Sequence, residues 1–385
     1  MKRGLLSVTC VLVSLMGLTG FSWGEYDWGL PSWVPTPSVP QDNPMTPAKV
    51  ELGRHLFYDT RLSADQTMSC ASCHQQDKAF TDGLAVSSGV TGQRSKLSAM
   101  SLANVAYLPV LTWANPHLTS LEVQSLIPLF GENPVELGMA GKEKELFARL
   151  QGDPVYQRLF ARAFPKESRE GADALYTLTT VTRALASFQR SLLSFDSPYD
   201  RYQYGGQKNA LSAAARRGEA LFFGEKMECY HCHGGFNFTD NIRHSKLPLS
   251  ERGFHNTGLY NRDGRGAYPA DNPGIRELTG DPDDEGKFRT PSLRNVALTA
   301  PYMHDGSIAT LEQVIREHYA SGGMAAKGPH GRSPMRSSFI AGFEVSEEEV
   351  ADLTAFLQSL TDPSFIRNPR HSDPWRDRGP RGQPQ

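Results

Sequence analysis

The chain has little cysteine, five residues in 385. Four of the five sit in two copies of one short pattern, and the fifth, Cys10, lies in an apolar N-terminal run. No cysteine is left over for a structural disulfide, although disulfides are common in exported domains. Past the N-terminus there is also no apolar run of the roughly 20 residues a membrane helix needs. An excess of one charge is missing too. The formal net charge is −2, and −4 without Lys2 and Arg3, which excludes the basic footprint of a nucleic-acid binder.

At the N-terminus Lys2 and Arg3 precede an apolar stretch from Leu5 to Leu18, followed by Ser22-Trp23-Gly24. A charged start, an apolar centre and small residues at the cleavage positions predict a secretory signal peptide over residues 1–24. Cleavage after Gly24 leaves about 360 residues, enough for two domains with cores of their own. The mature protein is expected in the periplasm, with no transmembrane span.

The two cysteine patterns are Cys70-Ala71-Ser72-Cys73-His74 and Cys229-Tyr230-His231-Cys232-His233. Each reads as a C-x-x-C-H site for covalent c-type haem. Two thiols three positions apart can form thioethers to the two vinyl groups of one porphyrin, and the adjacent histidine reaches the iron as proximal ligand. A zinc site built from the four cysteines would leave His74 and His233 unexplained.

The rest of the chain repeats as well. Gly53-Arg-His-Leu-Phe57 precedes the first motif and Gly218-Glu-Ala-Leu-Phe222 the second. Phe80-Thr81-Asp82 and Phe238-Thr239-Asp240 follow them. Ser101-Leu102-Ala103-Asn104-Val105-Ala106 is echoed by Ser292-Leu293-Arg294-Asn295-Val296-Ala297, and Ser120-Leu121-Glu122 by Thr310-Leu311-Glu312. Helix-forming composition and apolar spacing predict helices over 175–193, 213–223, 311–319 and 346–360. Long Gly/Pro/Asp-rich loops, notably Gly253 to Gly286, are expected to wrap cofactors. The expected fold is mainly α, with two tandem cytochrome c-like haem domains and long loops. A Pro-rich extended segment (25–47) leads into an N-terminal domain (48–205) and a C-terminal domain (206–362). The polar stretch 363–385 is expected to be disordered.

With both motifs and the repeat in view, Phe288-Arg289-Thr290-Pro291-Ser292-Leu293-Arg294-Asn295 and Ala300-Pro301-Tyr302-Met303-His304-Asp305-Gly306 give the chain a clear likeness. It resembles the bacterial di-haem cytochrome c peroxidase superfamily and, within it, the MauG/MbnH-like branch. The resemblance runs from about Asn43 to Leu360. It implies that the first haem, on His74, meets peroxide and that the second, on His233, transfers electrons or stores charge. Ordinary members place a His from the loop after the first motif over the iron. Gln75 to Gln93 holds neither His nor Met, which implies an open iron with Gln124, Pro128 and Glu136 on its distal side. Trp113 matches the aromatic residue between the haems.

By the same resemblance the second iron's sixth ligand is Met in ordinary peroxidases and Tyr in MauG-like ones. Tyr319 is favoured. Counting without gaps falls on His318, because Leu311 to His318 spans the same seven residues as Leu121 to Pro128, and Tyr319 needs one more residue in the helix. A calcium site would use the carbonyls of Thr299 and Pro301 together with an Asn, whose position here is Ser98. The surface Trp of MauG, just before the second motif, is Met227, so oxidising equivalents would leave by another route, such as Tyr230.

Cleaving peroxide at an open haem needs a proton carrier and a hydrogen-bond donor, roles suited to Glu136 and Gln124. A Tyr ligand lowers an iron's potential where Met raises it. The expected function is therefore a periplasmic di-haem oxidoreductase that uses hydrogen peroxide to oxidise a Trp on a partner protein. The alternatives are a cytochrome c peroxidase drawing electrons from a small cytochrome or cupredoxin, and a di-haem electron carrier without enzyme activity.

Overall fold

The computed structural model describes residues 26–376. The expected signal peptide lies outside them. Among the described residues the chain is mainly helical, with one two-stranded antiparallel ribbon, Phe254–Asn256 against Lys287–Arg289. No helix among them is long and apolar enough to cross a membrane.

Two helix pairs organise the chain. In the first half, helix Pro47–Phe57 packs on Leu178–Arg190. Thr46 caps the former by accepting from Lys49 N, and Thr177 forms a reciprocal capping box with Thr180 on the latter. That box explains why the second helix starts at Leu178 rather than near Leu175, the predicted start. In the second half, Ala213–Phe222 packs on Glu347–Ser359, capped by Ser212 and by a Ser346/Glu349 box. The repeated glycine sits at the same place in each pair. A Cβ on Gly53 would overlap the Ala184 carbonyl oxygen, and one on Gly218 that of Asp352. Only glycine lets the helices approach this closely. Around these pairs lie two apolar clusters. One is built on Leu52, Leu56, Phe57, Phe80, Phe160 and Phe188, the other on Phe222, Phe238, Leu353 and Phe356.

The repeated asparagines join the halves. Asn104 and Asn295 are fully buried and left-handed, with φ of 58° and 61°. Asn104 donates to Ser194 O and accepts from Ser194 N, at 3.1 and 2.7 Å. Asn295 donates to Ser194 Oγ at 2.9 Å and accepts from Asp362 N at 2.8 Å. Both asparagines thus converge on one serine. Beside it Arg294 and Asp200 form a buried bidentate ion pair, at 2.8 and 3.0 Å.

Both ends of the described chain are tied down. The extended segment before Pro47 crosses to the second half, where Trp33 stacks on Tyr204 at 3.9 Å and Thr36 O accepts from Ser245 N. The expected disorder of 363–385 is corrected for 363–376. Pro363–Ile366 is a helical turn capped by Asp362. Phe365 is buried in the first half's core, and the Trp375 indole donates to His55 O at 3.0 Å. Aromatic residues spaced through a polar segment supply the apolar burial that its average composition hides.

Candidate haem sites

Each C-x-x-C-H pattern forms a short helical turn, Cys70–Cys73 and Tyr230–His233, closed by a bond from the histidine N–H to the first cysteine's carbonyl at 3.0 Å. None of these four cysteines is in a disulfide. His74 Nδ1 donates to Phe80 O at 2.8 Å, and His233 Nδ1 to Phe238 O at 3.2 Å. Both phenylalanines hold left-handed backbone, φ 63° and 51°, an uncommon conformation for a bulky residue. That strain turns each carbonyl onto its histidine, which is the physical content of the repeated Phe-Thr-Asp. With Nδ1 carrying the proton, Nε2 is left as the metal-binding atom. Burial lowers the pKa of both imidazoles and keeps them neutral. Two thiols and a neutral, oriented imidazole are the donor set that covalent haem requires, so both sites fit it.

The second site opens into a large apolar cavity. It is lined by Cys229, Cys232, His233, Trp113, His304 and Tyr319, among others. The chain reaches Tyr319 by an unusual turn. Leu311–Gln313 begins as an α-helix and widens into a π-helix over Val314–Tyr319, so that Ala320 N bonds Ile315 O and Gly323 N bonds His318 O. A π-turn accommodates one more residue than an α-turn. The predicted α-helix over 311–319 is corrected accordingly, and the extra residue that Tyr319 needs is present. Tyr319 lines the cavity and burial pushes its phenol pKa up. His318 is turned away from the lining. It is fully buried, and its Nδ1 accepts from Met324 N at 2.9 Å.

At the first site Glu136 is close enough to Cys70 and Cys73 for its charge to bear on both thiols. Burial raises its own pKa. Its backbone is clamped: Val90 N donates to Glu136 O at 2.8 Å, Val135 N to Gln93 Oε1 at 2.7 Å and Leu137 N to Pro128 O at 2.9 Å. Gly89 lies so close that a Cβ there would overlap Val135 O. The loop free of His and Met thus gives one backbone and one side-chain bond to the Glu136 segment. Gln124, half-buried, ends the Leu121–Gln124 turn, and Pro128 lies in the next turn, Leu126–Phe130. That pair of turns is anchored by Glu122, which accepts from Arg190 at 2.7 and 2.9 Å and from Asn43 at 2.7 Å. Burial alone would raise the Glu122 pKa, but these donors hold it at about 2.

Between the halves the repeat becomes reciprocal. Trp113 and His304 each lie twelve residues past a repeated serine. Ser98 N donates to His304 O at 2.8 Å, and the matching Arg289 N donates to Trp113 O at 2.8 Å. Ser98 Oγ donates to Met303 O at 3.2 Å, and Arg289 Nε to Thr112 O at 3.1 Å. The Trp113 indole donates to Ser98 O at 3.0 Å. Thr299 and Pro301 line the cavity near this junction, while the Ser98 hydroxyl is already bonded to protein. Tyr230 lies at the surface, its hydroxyl 3.3 Å from Glu225 and its ring against His231, which stacks on the exposed Phe339.

Two further polar residues line the cavity wall, His255 and Arg289. His255 Nε2 lies 2.6 Å from Asp240 Oδ2, and that carboxylate together with the Cys232 thiol raises the His255 pKa to about 10. Arg289 is buried, which lowers its pKa to about 10.

Residues 47–209 match the di-haem cytochrome c peroxidase family. Methylamine utilization protein MauG of Methylorubrum extorquens is 35% identical over 88% of this chain and 85% of its own length. Cytochrome-c peroxidase IdrP1 of Denitromonas iodatirespirans is 37% identical over 88% of each. The crystal structure of a MauG-like protein associated with microbial copper homeostasis superposes with a TM-score of 0.86 at 50% identity, over 91% of this chain and 99% of that one. The chain belongs to the di-haem cytochrome c peroxidase family that includes MauG. It is a peroxidase-type oxidoreductase with two haem c groups.

Proposed function

We propose that this protein works in the MauG manner, using hydrogen peroxide to oxidise a Trp side chain on a partner protein in the periplasm. The observation that carries this reading is the π-turn that brings Tyr319, and not His318, to the cavity behind Cys229, Cys232 and His233. An anionic phenolate lowers an iron's potential and suits stored oxidising power. The copper-homeostasis relative at 50% identity supports a copper-handling system as the setting of the partner.

Cys70, Cys73 and His74 would hold the first haem, and Cys229, Cys232, His233 and Tyr319 the second. When bound, the haem irons supply peroxide binding and one-electron chemistry. Peroxide takes up two electrons and two protons to give two waters, and the partner's indole supplies the electrons. Glu136, its pKa raised by burial, moves a proton between the two peroxide oxygens. Gln124 donates a hydrogen bond to the departing oxygen. Pro128 offers no ligand atom and leaves that face open. Trp113, between the sites, conducts electrons from one half to the other.

The test is the spectrum of the purified ferric protein before and after peroxide. A long-lived oxidised spectrum with slow turnover of reduced cytochrome c is the expected result. Rapid peroxide consumption with cytochrome c would instead mean ordinary cytochrome c peroxidase activity, and this reading would be wrong.

A further inference from the structure

Arg289 is buried to 2% exposure, yet among the described residues no carboxylate is bonded to it. Its Nε donates to Thr112 O at 3.1 Å and one terminal nitrogen to Thr290 O at 3.3 Å. The other terminal nitrogen has only the Met100 sulfur, at 3.2 Å, a weak acceptor. The carboxylate whose charge reaches it, Asp240, is bonded to His255. A buried guanidinium without an anionic partner is costly. Its twin, Ser98, makes the corresponding bond across the junction with a small neutral hydroxyl, so the fold needs only a short donor here. The rest of the guanidinium is surplus to the fold and faces the cavity of the second site.

A second unpaired group lines the same wall. His304 is 4% exposed and its Nε2 has no hydrogen-bond partner. Its ring is fixed, stacked on Phe288 at 3.6 Å and 10°. Phe288 and Arg289 are consecutive in the ribbon, so both unsatisfied donors are held by one rigid element. His255 and Arg294 also line the cavity but are paired with Asp240 and Asp200, and the rest of the wall is chiefly apolar, formed by residues such as Leu108, Phe222, Met227, Leu311 and Val314. A haem has this polarity pattern: an apolar ring with two carboxylates on one edge.

We propose that Arg289 and His304 form the carboxylate-binding edge of the second site and hold a propionate of the haem attached at Cys229 and Cys232. The bidentate fork of an arginine matches a carboxylate, and the imidazole adds one donor. The same Arg289 bonds the carbonyls of Thr112 and Trp113. The propionate, the arginine and the bridging tryptophan then form one hydrogen-bonded chain. This rests on the second motif carrying haem and is independent of which substrate the enzyme oxidises.

The experiment uses the full chain loaded with both haems, with haem content measured first. Arg289→Gln, Arg289→Lys and His304→Leu are compared by the resonance Raman propionate bending band and by the midpoint potential of each haem. Arg289→Gln is expected to shift the second haem's bending band and lower its potential, because an uncompensated propionate favours ferric iron. Arg289→Lys should restore most of both. His304→Leu should move the band by a smaller step. A band unmoved in Arg289→Gln would overturn the proposal even if the potential fell, since charge alone would then account for the change. A shift confined to the first haem would overturn it too. If Arg289→Gln loads no haem, His304→Leu decides, and an unmoved band there sinks the idea.

Discussion

The segment Leu121–Phe130 in the first half and Leu311–Tyr319 in the second start alike and end differently. Ser120 and Thr310 cap the two by accepting from Val123 N and Gln313 N. The first then breaks at Ser125 and continues through Pro128. The second runs on without a break and widens into the π-turn. Counting the extra residue of that turn, Tyr319 stands where Pro128 stands in the first half. One can donate an oxygen to iron and the other has nothing to donate. On the proposed function, a one-residue change of helical pitch separates a closed haem from an open one.

That contrast can be broken most completely at Tyr319. Tyr319→Phe should abolish the six-coordinate spectrum of one haem, while His318→Ala leaves it in place. Deleting the exposed Arg316 should let an ordinary α-turn hold Tyr319 in register, so that the spectrum survives. On the open side, Glu136→Gln should slow reaction with peroxide by about 10²–10⁴-fold in stopped-flow measurements and leave the second haem's spectrum alone.

Acid tests the anchor of the first half. The Glu122 pKa is depressed, to about 2, so its contribution is complete above the ordinary carboxylate range and is lost as pH falls through about 2. Glu122→Gln should remove on the order of 3 kcal/mol at pH 7 and little at pH 2, read by chemical denaturation. The smallest effect is expected where the halves agree. Gly53→Ala and Gly218→Ala should each cost about 1–3 kcal/mol by forcing the helices apart. Gly53→Ala should disturb chiefly the first haem and Gly218→Ala the second.

Much of this was legible because it is written locally. The caps at Ser346 and Ser212 bound helices close to the predicted limits, and the Cys-His spacing needs no tertiary information. The π-turn was legible only as a conflict between two counts, since nothing in Val314 to Tyr319 favours a wide turn by composition. The ordered tail was hidden because Phe365 and Trp375 act through contacts distant in sequence, such as Phe365 to Phe80 and Trp375 to His55. Arg289 looked like one more motif residue. Its missing anion shows only once burial is known.

The crossed bonds between the halves, Ser98 to His304 and Arg289 to Trp113, follow the contact rule of an isologous dimer, in which residue i of one subunit meets j of the other and the reverse also holds. In a true homodimer a substitution at such a position appears on both sides of the axis at once. A serine could not become an arginine on one side only, nor a tryptophan a histidine. Here both copies lie in a single chain, and each side of the axis is free to change alone. Covalent fusion thereby permits a two-fold frame to carry a direction, with an indole on one side of the axis and a guanidinium and imidazole on the other, which a symmetric pair of identical chains cannot have.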